Sequence, residues 1–230
     1  MGLQVRRRLG LADSVTLLNA VIGFVAAVVA FRDPTLAARL ILLAAIADAV
    51  DGIVARNAGN TEVGPLLDSI TDVVSFGATP AIFVYTVARS TYGGLGAAPL
   101  WIVVLSVLGA SLFVVFSIVR TTLYTVYVGE DEKRPGIQNT LAATILAAGY
   151  LAGVTSAPVL LAGTALLSLA MVAPVPYPKL LERDAVVLGV VQAGAILAPA
   201  MVSRAFPRAL LVAALAYLVL APRYYWGDSS

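Results

Sequence analysis

The sequence predicts an all-α fold: a polytopic membrane bundle of about eight transmembrane helices, forming one domain over residues 1–230. Three observations predict it. Hydrophobic residues make up 60% of the chain and charged residues 12%, about half the charge of a soluble domain. Eight apolar runs reach or approach the roughly 20 residues that a spanning helix needs. Pro and Gly gather at the joints between runs, at Pro34, Gly59, Gly93-Gly94, Pro135-Gly136, Pro174-Val175-Pro176 and Pro207, where helix breakers belong.

The first run, Ser14–Phe31, follows Arg6, Arg7 and Arg8 but has no small-residue cleavage site, so it reads as a retained helix and not a signal peptide. The second, Leu36–Ala55, and third, Val63–Val87, are joined by a short turn and must run antiparallel. The fourth is Pro99–Val128 and the fifth Gly136–Val154; the charged loop between them, Gly129–Pro135, reads as a solvated turn. The sixth, Pro158–Val172, and eighth, Phe206–Ala221, are short, and the seventh is Ala185–Val202, so the count lies between six and eight. No internal repeat divides the chain. With an even count, one side holds Arg6, Arg7, Arg8, Arg56, Arg120, Lys133, Arg134, Lys179, Arg183 and Arg223. The other holds Arg32, Arg39, Arg89, Arg204 and Arg208. The positive-inside rule then puts both termini, and the turn Arg56–Glu62, in the cytoplasm of a plasma-membrane protein.

The chain has no Cys and no His. That excludes thiol nucleophiles, disulfides, zinc fingers, Ser-His-Asp triads and histidine metal ligands. The net charge of +2 is spread along the chain without a basic stripe, which argues against nucleic acid as a partner.

Chemistry concentrates in the second and third runs. Asp48 and Asp51 lie three apart and share a helix face with Gly52 and Ala55; Gly64, Asp68 and Asp72 share another, extended by Phe76 and Pro80. Two carboxylates on each of two antiparallel helices can meet across the gap. Four carboxylates cannot stay ionised together in apolar surroundings without counter-charge, and two hard divalent cations would balance them. All-oxygen ligation suits Mg, Mn or Ca, and a pair of such ions suits phosphoryl transfer. Gly52 and Gly64 each cost their helix roughly 1 kcal/mol against alanine, a cost explained by close approach of a flat ligand or a second backbone. Arg56, one turn beyond Asp51, is placed to contact a phosphate or a base. The bland alternatives are ion-pair partners, an ion pathway or simple helix packing, but facing Lys and Arg are too few to neutralise the four. Intramembrane charges are functional by default.

The pattern Asp48-x2-Asp51-Gly52-x2-Ala55-Arg56-x7-Gly64-x3-Asp68-x3-Asp72 closely resembles the signature of the CDP-alcohol phosphatidyltransferases. That family usually places eight residues between the Arg and the second Gly, where this chain has the seven from Asn57 to Val63. The resemblance implies a six-helix core with extra helices, a homodimer, and one reaction: an acceptor hydroxyl attacks the lipid-side phosphorus of a CDP-activated lipid and CMP leaves. It implies that Asp48, Asp51, Asp68 and Asp72 hold two metal ions and that Asp72 is also the general base. It further implies that Gly52, Ala55 and Gly64 make room for the cytidine, and that Arg56 holds the CDP part.

Asp68-Ser-Ile-Thr-Asp72 followed by Ser75-Phe76-Gly77-x2-Pro80-Ala81 is similar to the serine-accepting branch, as are Thr16-Leu-Leu-Asn19, Gly23-Phe24 and Pro176-Tyr177-Pro178-Lys179. This implies L-serine as acceptor and CDP-diacylglycerol or CDP-archaeol as donor. Branch members often carry two Arg three apart at the end of the fourth helix; here Arg120 matches the first and Leu123 replaces the second. Where they have Gly-Leu-Pro, this chain has Gly136-Ile-Gln138-Asn139. Arg120 is a candidate for the serine carboxylate or the lipid phosphate, or else snorkels to the interface. Gln138 and Asn139 are candidates for a polar acceptor, or else cap a helix. Inositol phosphate or glycerol phosphate as acceptor would call for a denser cationic cluster than Arg56, Arg120, Lys133 and Arg134. A divalent-cation carrier would need a route to both faces, and a non-catalytic scaffold would tolerate Asp72→Asn.

Overall fold

A computed structural model describes residues 9–58, 61–94, 96–127, 134–178 and 180–225, with side chains of Leu11, Ala55–Ala58, Arg134 and Glu182 excepted. Arg6–Arg8, Lys179, the centre of the turn after Arg56 and most of the loop Gly129–Pro135 lie outside the described residues. Helices α1 (Leu11–Ala30) and α2 (Pro34–Ala58) form the first hairpin. The turn is fixed by Asp33, whose Oδ1 accepts the Leu36 N–H at 2.9 Å, with Pro34 at the first helical position, where its missing N–H costs nothing. The third apolar run is one continuous rod with three parts: α3 (Gly64–Asp72), a π-helical segment (Val73–Ala78) and α4 (Thr79–Tyr92). Then come α5 (Leu100–Tyr127), strand β1 (Arg134–Pro135), α6 (Asn139–Ala152), α7 (Ala157–Met171), strand β2 (Pro176–Tyr177) and α8 (Glu182–Leu197). A tight turn (Met201–Arg204) leads into α9 (Ala205–Tyr224). The two strands pair antiparallel over two residues each.

The described helical segments follow the eight apolar runs. Among the described residues, four stretches are long and apolar enough to cross a membrane: Ala12–Ala30, Gly64–Tyr92, Leu100–Tyr127 and Met201–Tyr224. α6 and α7 are shorter apolar helices. α2 has 25 residues, about 37 Å, and its hydropathy is lowered by the carboxylates that carry the chemistry. α5 leaves Trp101, Leu105, Leu108, Leu112, Val115 and Val119 exposed along its length, a stripe too large for a monomer in water. The protein is a multi-pass membrane protein.

Several boundaries differ from expectation: the third run continues to Tyr92, five residues past Val87, and two runs fall short. Gly136 is not helical: it has φ +73°, its N–H donates to the Val175 carbonyl and that of Ile137 to the Ala170 carbonyl, so α6 starts at Asn139. The seventh run stops at Leu197, short of Val202. Val202, Ser203 and Arg204 all have positive φ and turn the chain tightly into α9.

The π segment has a local cause. Pro80 has no N–H, and in α geometry its ring crowds the carbonyl four residues back; the wider turns before it remove that conflict. The Thr79 hydroxyl lies within bonding distance of two carbonyls, Val74 at 2.9 Å and Gly23 at 3.0 Å. Phe76, Phe83 and Phe113 are fully buried around this rod with Ile41, Leu42 and Val84. α1 packs along α2, α3 and the π segment; α5 covers the other side.

Candidate active site

Three of the four aspartates converge. Asp48 of α2 and Asp68 and Asp72 of α3 offer ligand atoms that all lie within 4.8 Å of one another. Asp48 and Asp72 are half-buried and Asp68 is exposed, so the cluster opens to the surface through Asp68. Asp51, one turn along α2, is buried and stands beside this trio, its charge acting on all three. The sequence spacing accounts for this: two carboxylates on one face of α2 meet two on one face of α3, and the four-residue rhythm of α3 stops at Asp72, where the π segment begins.

The neighbours come from three other helices. Thr16 of α1 donates its hydroxyl proton to Asp51 Oδ2. Thr140, in the first turn of α6, donates to Asp48 Oδ2 at 3.4 Å. Arg120 of α5 is buried, places its guanidinium carbon 4.7 Å from the centre of the Tyr124 ring, and acts electrostatically on Asp72. It does not snorkel. Asn139 is fully buried; its Nδ2 donates to the Thr121 hydroxyl at 2.7 Å, tying α6 to α5. Gln138 occupies the N-cap position of α6 without a side-chain capping bond.

Gly64 opens α3 beside the start of α1. A Cβ there would stand 3.3 Å from Asp13 Oδ1 and 3.4 Å from the Thr61 hydroxyl, so the close approach at Gly64 is to protein atoms. Thr61 donates to Asp13 at 2.9 Å and accepts the Gly64 N–H at 3.0 Å, which pins the start of α3 to α1. Gly52 lies on α2 next to Asp51; Ala55 and Arg56 continue that helix, and their side chains are outside those described. Gly23 and Gly77 mark two further close approaches: a Cβ at Gly23 would stand 2.6 Å from Ser75 Oγ, and one at Gly77 would stand 2.5 Å from Ser117 Oγ.

The donor set fits a hard divalent cation. All ligand atoms are carboxylate oxygens, and Asp51 Oδ1 and Asp72 Oδ1 are buried with no hydrogen-bond partner among the described residues. A buried, unpartnered carboxylate oxygen is costly, and a cation satisfies it.

Residues 9–176 match the sequence profile described as CDP-alcohol phosphatidyltransferase. The chain belongs to that family. The match covers α1 to α7, six helical rods that contain every residue of the cluster, and ends before α8 and α9. Like the rest of its family, this phosphatidyltransferase is a transferase enzyme acting on CDP-activated alcohols. Archaetidylserine synthase of Methanothermobacter thermautotrophicus is 28% identical over 179 residues, 74% of this chain and 70% of that protein. The CDP-diacylglycerol–serine O-phosphatidyltransferase of Methanocaldococcus jannaschii is 40% identical over 82 residues. That of Mycobacterium leprae is 39% identical over 83. Each alignment spans 35% of this chain, and 38% and 28% of the relatives' own lengths.

Sequence reasoning did not assign roles to Thr16 or Thr140. Thr140 carried no signal beyond standing next to Gln138-Asn139. Thr16 and Asn19 belong to a motif shared with the serine-accepting branch, and their spacing from Asp13 puts all three on one face of α1. All three are buried.

Proposed function

We propose that this phosphatidyltransferase moves the phosphatidyl or archaetidyl group of a CDP-activated lipid onto L-serine and releases CMP. The observation that carries the chemistry is the trio Asp48, Asp68 and Asp72 within 4.8 Å, beside Asp51 and facing Arg120. The serine assignment rests on the branch motifs and on the three relatives, whose names all specify serine transfer.

In this reading the serine hydroxyl oxygen forms a bond to the lipid-side phosphorus, and the bond from that phosphorus to the oxygen of CMP breaks. Asp72 takes the hydroxyl proton. Asp48, Asp51, Asp68 and Asp72 would hold two Mg or Mn ions, with Ca a third candidate. Bound divalent cations would neutralise the carboxylates and the diphosphate and stabilise charge developing on the reacting phosphoryl group. Gly52, Ala55, Arg56 and Gly64 line the CDP part, Arg120 takes the serine carboxylate or the lipid phosphate, Gln138 contacts the acceptor, and Asn139 holds Gln138 and Thr140 in place. Eight membrane crossings, cytoplasmic termini, a cytoplasmic active site and a homodimer complete the proposal. The positive-inside count supports the orientation.

The test is CMP release by purified protein in detergent. It is given CDP-diacylglycerol or CDP-archaeol, Mg or Mn, and L-serine, inositol phosphate or glycerol phosphate in turn. Release with serine, cut at least about 100-fold in Asp72→Asn, is the expected result. Release only with a phosphorylated acceptor would overturn the serine assignment and leave the metal site standing.

A further inference from the structure

Asp51 is the one aspartate of the four that lies outside the trio of converging ligand atoms, yet it is the most deeply buried by exposed surface. What fixes it comes from a different helix. The Thr16 hydroxyl reaches it across 35 positions of sequence, and both partners are buried. The same hydroxyl oxygen lies 3.2 Å from the Ala12 carbonyl. A threonine hydroxyl has one proton, and an ionised carboxylate is the stronger acceptor, so the proton goes to Asp51 Oδ2. That leaves Oδ1, which is buried and has no hydrogen-bond partner among the described residues.

We propose that Thr16 is a positioning residue for the metal site: it engages Asp51 Oδ2, locks the rotation of the carboxylate, and so presents Oδ1 to a divalent cation. The assignment rests on the metal reading of the aspartate cluster. α1 is built to deliver the hydroxyl at a set height. Its start is tied to the start of α3 through Asp13, Thr61 and Gly64. Above Thr16, Ser75 donates to the Asn19 carbonyl at 3.1 Å and Thr79 to the Gly23 carbonyl at 3.0 Å. α1 is thereby tied to the rod that carries Asp68 and Asp72 both below and above Thr16, while Thr16 itself reaches across to Asp51 of α2. Partners that orient metal ligands typically change affinity 10- to 100-fold when removed.

The experiment is Mn binding to the detergent-purified protein, read from the loss of the free-ion electron paramagnetic resonance signal. Wild type, Thr16→Val, Thr16→Ala, Thr16→Ser and Asp51→Asn are compared. Valine keeps the shape and removes the donor; serine keeps the donor. Apparent unfolding temperature in chelator shows that each variant is folded. The expected result is Mn affinity down about 10- to 100-fold in Thr16→Val and Thr16→Ala, and restored to within about threefold in Thr16→Ser. The Mn concentration needed for half-maximal CMP release should move in parallel. Wild-type Mn affinity in folded Thr16→Val and Thr16→Ala overturns the assignment. So does equal weakening in Thr16→Ser, which would make the methyl packing, not the hydroxyl, responsible. If wild type and Asp51→Asn both fail to bind Mn, the metal reading itself falls and takes this assignment with it.

Discussion

Gly136 is the position where the structure makes its sharpest demand on the sequence. It has φ +73°, and a Cβ there would stand 2.0 Å from the Met171 carbonyl oxygen and 2.7 Å from its carbon. Ordinary contact begins near 3.4 Å, so in Gly136→Ala the end of α7 must retreat by about 1.4 Å. That carbonyl belongs to backbone and cannot swing aside. Its neighbourhood is held by Gly136 N–H to Val175 and Ile137 N–H to Ala170, at 2.9 and 3.1 Å. A side chain in the left-handed region costs roughly 1–2 kcal/mol, overpacking roughly 1–3, and a weakened backbone bond about 1. The sum is about 3–6 kcal/mol. At about 2–4 °C per kcal/mol for a chain of this size, Gly136→Ala should lower the unfolding temperature by roughly 6–24 °C. Unfolding in detergent is commonly irreversible, so all variants are compared at one scan rate by intrinsic fluorescence. CMP release should fall as well, because Gly136 leads directly into Asn139 and Thr140, which hold Thr121 and Asp48. The control is Gly163→Ala in the middle of α7, where a Cβ meets nothing within 4 Å; it should gain up to about 1 kcal/mol from helix propensity. Gly136→Ala unfolding within about 2 °C of wild type, with full activity, would refute the placement of α6 against α7.

Other expectations follow from the same geometry. Gly23→Ala sets a Cβ 2.9 Å from Ser75 Cα, which no side-chain trimming relieves; it should cost about 1–3 kcal/mol, and Ser75→Gly in the same protein should not rescue it. In Gly77→Ala the tight contacts are to the Ser117 side chain, at 2.5 and 3.0 Å, with Val73 Cγ1 at an ordinary 3.8 Å, so Ser117→Gly should recover much of the loss in a thermal-unfolding cycle. Chelator should abolish CMP release and Mg or Mn should restore it; full activity in chelator would rule out a metal-dependent site. Arg120→Lys keeps the charge and loses the planar fork, and should lower kcat/KM about 10-fold or more, as expected for a charged hydrogen bond of about 1.5–3 kcal/mol.

The apolar runs were legible because a membrane span leaves a long, one-sided signal. The aspartates were legible because carboxylates among apolar neighbours demand a reason. The π segment was not: one extra residue per turn leaves no trace in a run as uniform as Val73–Ala78, although Pro80 just after it supplies the cause. The end of α8 was misplaced because Val202 stands in an apolar stretch that hydropathy cannot divide, and the start of α6 because Gly136 was grouped with the apolar run although the polar Gln138-Asn139 stands between them. Thr16 and Thr140 were out of reach for a different reason. Their partners lie 35 and 92 positions away, and only the packing of α1 and α6 against α2 brings them together. For Gly64, the sequence offered close approach of a ligand or a second backbone, and the structure adds a third neighbour, the side chains of Asp13 and Thr61.

Two readings of buried aspartates compete in any membrane bundle, a reaction centre and an ion route, and the distribution of polar groups separates them here. The cluster draws on residues within about three turns of the starts of α1, α3 and α6 and of the ends of α2 and α5, which successive reversals of the chain bring to one end of the bundle. The far end has its own polar groups, Asp33 capping α2 and Arg39 donating to the Ile196 carbonyl at 2.5 Å. Between the two ends lie Ile41, Leu42, Phe83, Val84 and Phe113, all with no exposed surface. A divalent cation leaving the aspartates toward the far end would have to cross this layer without a carboxylate to balance its charge, which is costly in apolar packing. A reaction centre needs no such route. It needs carboxylates at the level where a lipid-borne phosphate meets a water-soluble acceptor, which is what clustering at one end of the bundle provides.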